Sequence, residues 1–498
     1  MNKFLNGLAD VTNFGYTENG AIKRLSTRSA LLDMFAMGGA MRSRSDEDVI
    51  LMFKNACEEN LIYALKCLFY LRDCRGGQGE RRFFRVCLKW AAKNYTEEIK
   101  RNIKNIPTFG RYDDLYIFVG TPLENAALSF IKEQLALDVQ CKTPSLLAKW
   151  LKSENTSSAS SRKLAQRTRT YLGMTHKQYR KTLSILRERI NVLERLMSAG
   201  KWDEIEFDKI PSRAGMIYKN AFARHDLERM KTEKNIQSYS DFAKDETKTV
   251  NAKTLYPYEC VNEAQKCYYK NLNDTTRLMV NKYWDNLADY FEKSSFNGLA
   301  VVDTSGSMTW HGPVYPIDVA TSLGIYCAEK AKGPFAGHYI SFSRKPRLIK
   351  VEGVDFVDKV RRIREADLCE NTNIEATFDM LLNTAIRNNC KQEDLPENLI
   401  IISDQEFDAA RGYYGRNENT RTLMENIEQK WLTHGYSMPN LIYWNVEARQ
   451  NNIAMMPKDG VSFVSGFSPS IFQQIMSGKT SFDLMYEVLN QERYSVIM

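Results

Sequence analysis

Two short apolar runs, each ending in an acid, constrain this chain more than any other feature. The first, Leu299-Ala300-Val301-Val302, stops at Asp303-Thr304-Ser305-Gly306-Ser307-Met308. The second, Leu399-Ile400-Ile401-Ile402, stops at Ser403-Asp404. Runs of this kind predict buried strands. In an open α/β sheet, ligands gather just beyond the carboxyl ends of strands, where both acids would lie. Asp303, Ser305 and Ser307 alternate along the first turn, and Gly306 allows the backbone to fold tightly. Carboxylate and hydroxyl oxygens suit hard divalent cations such as Mg²⁺. The same residue types also cap helices without any metal, and the turn by itself leaves both readings open.

Between the two runs, the polar loop Glu370-Asn371-Thr372-Asn373-Ile374 leads into a helical pattern from Glu375 to Asn388. Taken in this order, the three stretches resemble the three loops of the metal-ion-dependent adhesion site of von Willebrand factor A domains. The resemblance spans residues 296–498 and implies a doubly wound, Rossmann-like α/β domain. It also implies hydroxyl ligands from Ser305, Ser307 and Thr372, with Asp303 and Asp404 binding the cation directly or through water. The cation would be Mg²⁺, or another divalent ion such as Mn²⁺ or Ca²⁺. One coordination position would be left for an acidic group of a protein partner. The second loop departs from the pattern, with Glu-Asn-Thr where many members have Gly-Gly-Thr.

The 498 residues are enough for two or three domains, and 43% hydrophobic with 26% charged residues is ordinary for a globular protein. No apolar run reaches the roughly 20 residues that span a bilayer. The opening Met1-Asn2-Lys3-Phe4-Leu5 lacks the apolar core of a signal peptide. Ten cysteines are scattered without a Cys-x-x-Cys pair, so neither a zinc site nor a disulfide frame is indicated. A reduced, cytoplasmic protein is expected.

Net charge is +8, unevenly spread. From Asn297 onward there are 20 Lys and Arg against 25 Asp and Glu, whereas residues 1–296 carry 49 against 36. A basic front half points to a polyanionic partner or to attraction between the two halves. That front half, residues 1–295, reads as helix after helix with short Gly and Pro breaks and no strand alternation. Ser29, Ser45 and Asn60 mark helix starts, and one long helix is expected over Thr175 to Leu196. An α-solenoid of stacked helical pairs, ring-like or HEAT-like, is the architecture this suggests, although no clean repeat period is present.

Basic residues gather from residue 75 onward. Arg75, Arg81, Arg82 and Arg85 lie near Phe83 and Phe84, and Lys149 and Lys152 flank Trp150. Residues 151–200 hold 11 Lys and Arg against three Glu, among them Arg162, Lys163, Arg167, Arg169, Lys177, Arg180 and Lys181. Cations interleaved with aromatics suit single-stranded RNA. A solvated helix face, and aromatics sitting in the core, are the plainer alternatives. Gly76-Gly77-Gln78-Gly79 could offer backbone N–H groups to phosphate or simply end a helix, and it matches no nucleotide-binding fingerprint.

The stretches Leu71 to Arg82, Ile106 to Leu115, Tyr179-Arg180-Lys181 and Ile210 to Ala214 add a second resemblance. They are similar to an uncharacterised phage and plant family related to the TROVE module of Ro autoantigen-like proteins, a ring of helical repeats followed by a von Willebrand A domain. The resemblance implies an RNA-binding ribonucleoprotein component, holding single-stranded ends of structured or misfolded RNA in the ring cavity and small structured RNAs on its outer basic surface. Two other readings stand beside it. One is a protein-interaction scaffold capturing a partner carboxylate at the metal turn. The other is a metal-dependent phosphodiesterase using Asp303, Asp404, Glu406 and Asp408, which the hydroxyl-rich turn disfavours. A non-enzymatic protein is the expectation.

Overall fold

The computed structural model describes residues 12–231, 236–270, 273–292, 296–309, 314–342, 345–366, 373–408, 422–475 and 480–498. The front half is mostly helical and the back half holds a six-stranded, mostly parallel sheet. Its strands are β3 (Gly298–Asp303), β4 (His338–Phe342), β5 (Arg347–Lys350), β6 (Asn398–Ser403), β7 (Asn440–Asn445) and β8 (Val461–Ser465). They lie in the order β5-β4-β3-β6-β7-β8, with β5 antiparallel on the edge and the other pairs parallel. Every residue of β3 and β8 is buried. Successive side chains in a strand point to opposite faces, so both faces of the sheet are covered. The apolar runs at 299–302 and 399–402 are therefore adjacent central strands.

The first helices follow the sequence signals. Ser29, Ser45 and Asn60 each accept a hydrogen bond from a backbone N–H of the helix that follows. Two expectations are corrected. The helix expected over Thr175 to Leu196 is two, His176–Arg189 and Leu193–Ser198, separated at Asn191, whose φ of 47° lies in the left-handed region. The front half also contains strands, the antiparallel hairpin β1 (Phe14–Tyr16) and β2 (Ile22–Arg24). This hairpin pairs with the back half, through bridges from Gly20 to Asp408 and from Arg24 to Ile453.

The helical half begins and ends on the sheet half. Helix Ala30–Met37 packs on β8, and Gly39 N donates to Ser465 Oγ at 3.0 Å. At the other end, Arg277 makes two bonds of 2.8 Å to Asp355, and Trp284 stacks on Phe356 with centroids 3.9 Å apart. The chain's last helical turn returns to the front half, where Arg493 and Tyr494 hold the buried Asp73 carboxylate. Tyr256 Oη donates to Gln78 O at 3.1 Å across 178 residues, so the later part of the helical half packs against the turn that follows the helix Leu61–Arg72.

The 75–79 turn makes this contact through its glycines as well. A Cβ at Gly77 would overlap the Tyr70 carbonyl oxygen, and one at Gly79 would overlap the Tyr256 hydroxyl. Gln78 Nε2 donates to Tyr70 Oη at 2.8 Å, and Ser470 Oγ donates to Gly77 O at 3.2 Å. These two glycines serve close packing within the helical half, and the Ser470 hydrogen bond ties the turn to the sheet half.

Candidate functional site

The strand order reverses between β3 and β6, and the carboxyl ends of these two strands form the switch point at which α/β sheets hold ligands. Val302 lies opposite Ile402, which brings Asp303 level with Ser403. Ser403 Oγ donates to Asp303 Oδ2 at 2.5 Å, and Ser305 N donates to Asp303 Oδ1 at 2.9 Å. The Ser305 and Ser307 hydroxyl oxygens are 3.1 Å apart, and Ser307 also hydrogen-bonds Asp404. Asp303, Ser305, Ser307 and Asp404 thus come together. Thr372 lies outside the described residues, as do Trp310 and His311.

Asp303 and Asp404 are both 0% exposed. Burial, together with the nearby Asp404 carboxylate, pushes Asp303 up to about 7. Burial likewise raises Asp404, while Arg449 draws it back down. Arg449 Nη2 donates to Asp404 Oδ2 at 2.8 Å, and its Nη1 lies 2.9 Å from the Glu18 carboxylate. Two buried carboxylates and two hydroxyls form an all-oxygen donor set short of positive charge, which fits a hard divalent cation.

The Glu406 carboxylate takes partners outside that set. Glu406 Oε2 accepts from Glu18 N at 2.7 Å and its Oε1 from Asn452 Nδ2 at 2.6 Å. Asp408 pairs through its backbone with Gly20. Thr17 Oγ1 donates to Phe407 O at 2.6 Å, so the β1–β2 hairpin clasps the loop that follows β6. Gln405, with φ of 62°, turns the chain between Asp404 and Glu406, whose carboxylates take different partners. Sequence reading missed Glu18 and Arg449, which lie far from the acidic turns along the chain and belong to no motif.

A second site lies within the helical half, a cavity of about 1310 Å³ lined by residues drawn from Arg72 through Tyr256. Nine Arg and Lys side chains line it against two Glu, with Trp150, Tyr179, Tyr218 and Tyr256 as aromatic surface. Of the cations singled out from sequence, Arg81, Lys149, Lys177 and Arg180 line this cavity. Among the described residues none of these four has a carboxylate partner. The helix His176–Arg189 turns one face inward, with His176, Arg180, Leu183 and Arg187 spaced at helical intervals.

The other nine cations do not line the cavity, and most have partners elsewhere. Arg75 donates to Thr108 O at 2.7 Å and Arg162 to Thr156 O at 2.7 Å. Arg82 pairs with Asp46, Arg85 with Asp113 and Asp114, Arg167 with Glu124, and Arg169 with Glu154. Lys152 lies over the Tyr116 ring, while Lys163 and Lys181 are exposed. Conversely, Arg72, Arg111, Arg195 and Arg213 line the cavity without having been singled out as binding cations, and Arg187, on the same basic helix as Arg180, lines it as well. Arg187 donates to Ala148 O, Leu151 O and Ser153 Oγ and so shapes the cavity wall. Among the described residues, no helix is long and apolar enough to cross a membrane.

Two family models match successive stretches of the chain. Residues 17–120 and 134–295 match the family described as "Domain of unknown function (DUF2828)", and residues 297–495 match "Domain of unknown function (DUF7788)". The uncharacterized protein L728 of Acanthamoeba polyphaga mimivirus is 30% identical, over 94% of this chain and 86% of its own length. The crystal structure of the Deinococcus radiodurans RO (RSR) protein aligns with 91% of this chain and 100% of its own, at 13% identity and a TM-score of 0.48. With most of its helical half matched and a relative of this identity along nearly its whole length, the chain belongs to the DUF2828 family.

Proposed function

We propose that this protein binds single-stranded RNA in the cavity of its helical half. The observation that carries this reading is the set of four cations, Arg81, Lys149, Lys177 and Arg180, facing one cavity without carboxylate partners among the described residues. Cations not neutralised within the fold are the ones that release counterions when phosphates bind. Trp150 and Tyr218 add ring surface on which bases stack in a sequence-tolerant way. The reading accords with the TROVE-like resemblance of the sequence.

In this reading the turn at Asp303 is a divalent-metal site of the von Willebrand A kind. Asp303, Asp404, Ser305 and Ser307 would hold the cation, and Thr372 would complete the set. Bound there, the cation would neutralise the buried carboxylates and offer a coordination position to an acidic group. Glu18, on the hairpin over this loop, is joined to Asp404 through Arg449.

Fluorescence anisotropy with a labelled single-stranded RNA, measured across salt concentration, tests the RNA reading. Affinity should fall steeply as salt rises, with a log–log slope of roughly −0.7 per phosphate contacted. An absence of binding at low salt would rule the reading out, because phosphate attraction is strongest there.

A further inference from the structure

One wall of the cavity holds more positive charge than its own carboxylates neutralise. Asp114, 0% exposed, accepts from Arg72 Nε and Nη2 at 2.9 and 2.8 Å and from Arg85 Nε at 2.6 Å. Asp113 accepts from Arg111 Nε and Nη2 at 2.8 and 2.7 Å, and from Arg85 Nη2 at 3.2 Å. Three guanidiniums therefore share two carboxylates. Arg81 stands beside them as a fourth, exposed, lining the cavity and without a carboxylate partner among the described residues. The cluster carries two positive charges in excess.

Such crowding is costly on its own. Partial burial and the like charges of Arg111, Arg72 and Arg85 lower the proton affinity of Arg81, with Asp114 acting in the opposite sense. An anion of matching charge would relieve that repulsion. A phosphodiester inside an RNA strand carries one negative charge, whereas a terminal phosphate monoester carries about 1.5 to 2 near neutral pH. Arginine suits such a group, since its planar fork donates two parallel hydrogen bonds to phosphate oxygens. Arg111 also lies over the Trp150 ring, 4.0 Å from its centroid, so cationic and aromatic surface adjoin on this wall.

We infer that the Arg81 corner is a subsite for the terminal phosphate of an RNA strand, with Arg81 as the direct ligand. The inference rests on the RNA reading of the cavity and adds the class of strand end it selects. The ligand chemistry is a phosphate monoester, whether it stands at the 5′ or the 3′ end.

The test uses the full chain and three oligoribonucleotides of one sequence, carrying a 5′-phosphate, a 3′-phosphate or hydroxyls at both ends. One phosphorylated form should bind about tenfold tighter than the hydroxyl form, the gain expected from one charge-assisted pair. Which form it is identifies the end. R81Q should bring the three affinities together, and inorganic phosphate should compete with the preferred form more strongly than with the hydroxyl form. Arg81 is exposed, so loss of folding is not expected to obscure the result. Equal binding of all three RNAs to the unaltered protein overturns the subsite and leaves RNA binding intact. Failure to bind any of them overturns the RNA reading, and the subsite with it.

Discussion

The Arg449 guanidinium bridges two carboxylates from opposite ends of the chain, reaching Asp404 Oδ2 at 2.8 Å and the Glu18 carboxylate at 2.9 Å. Asp404 is buried, and this guanidinium is its ionic partner. A divalent cation at the switch point would compete with Arg449 for the same oxygen. Replacing Arg449 with Met removes the competitor while keeping much of the side-chain volume. Mn²⁺ affinity should then rise by about tenfold, equivalent to ~1.4 kcal/mol. The metal-free variant should also melt earlier, because a buried carboxylate loses its partner. Titration calorimetry and thermal melts with and without Mn²⁺ read both effects. Unchanged or weaker Mn²⁺ binding would refute the competition.

Asp114 anchors the arginine cluster from inside the fold. Burial alone would raise its carboxyl, but Arg72 and Arg85 hold it below the usual carboxylate value of 3.8. A depressed folded-state value means the ionised form stabilises the fold. That contribution is present above about pH 4 and is lost as pH falls through the folded-state value. Asp114→Asn should cost about 3–5 kcal/mol at neutral pH, the usual effect of breaking a buried ion pair from one side. The variant's stability should also fall less steeply in acid than that of the unaltered protein. Denaturant melts at about pH 7 and below about pH 4 measure both.

The acid-terminated strands and the helix caps at Ser29, Ser45 and Asn60 were legible because each is a local signal. The β1–β2 hairpin was not, because its three-residue strands are held by partners far along the chain, such as Ile453 for Arg24. The break at Asn191 was hidden inside an apolar-periodic stretch. The basic face was visible as composition, yet its division into paired and unpaired cations was not. Arg167 meets Glu124 and Arg85 meets Asp114, and only the packed fold brings those residues together.

The glycines of the 75–79 turn make a separate prediction. Gly77 lies against the backbone of Tyr70, and Gly79, at φ of 64°, lies against the Tyr256 hydroxyl. Overpacking of this kind typically costs ~1–3 kcal/mol, and the left-handed backbone at Gly79 adds strain. Gly79→Ala should lower stability by at least this much, and Tyr256→Phe should recover part of it by removing the overlapping oxygen. If instead this turn bound phosphate through its N–H groups, Gly79→Ala would weaken RNA binding with little change in melting.

The paired and unpaired cations of the helical half should separate cleanly in RNA binding. Lys149, Lys177 and Arg180 face the cavity without carboxylate partners among the described residues, whereas Arg167 and Arg169 are committed to Glu124 and Glu154. Releasing a cation from a carboxylate costs part of what a phosphate contact supplies, so the paired set contributes less. Arg180→Gln and Lys177→Gln should each reduce the magnitude of the salt slope by about 0.7–1 and weaken binding alike for RNAs of different sequence. Arg167→Gln should leave the slope nearly unchanged. Equal losses from the two sets would show that RNA runs over the outer helix faces and would move the proposed path out of the cavity.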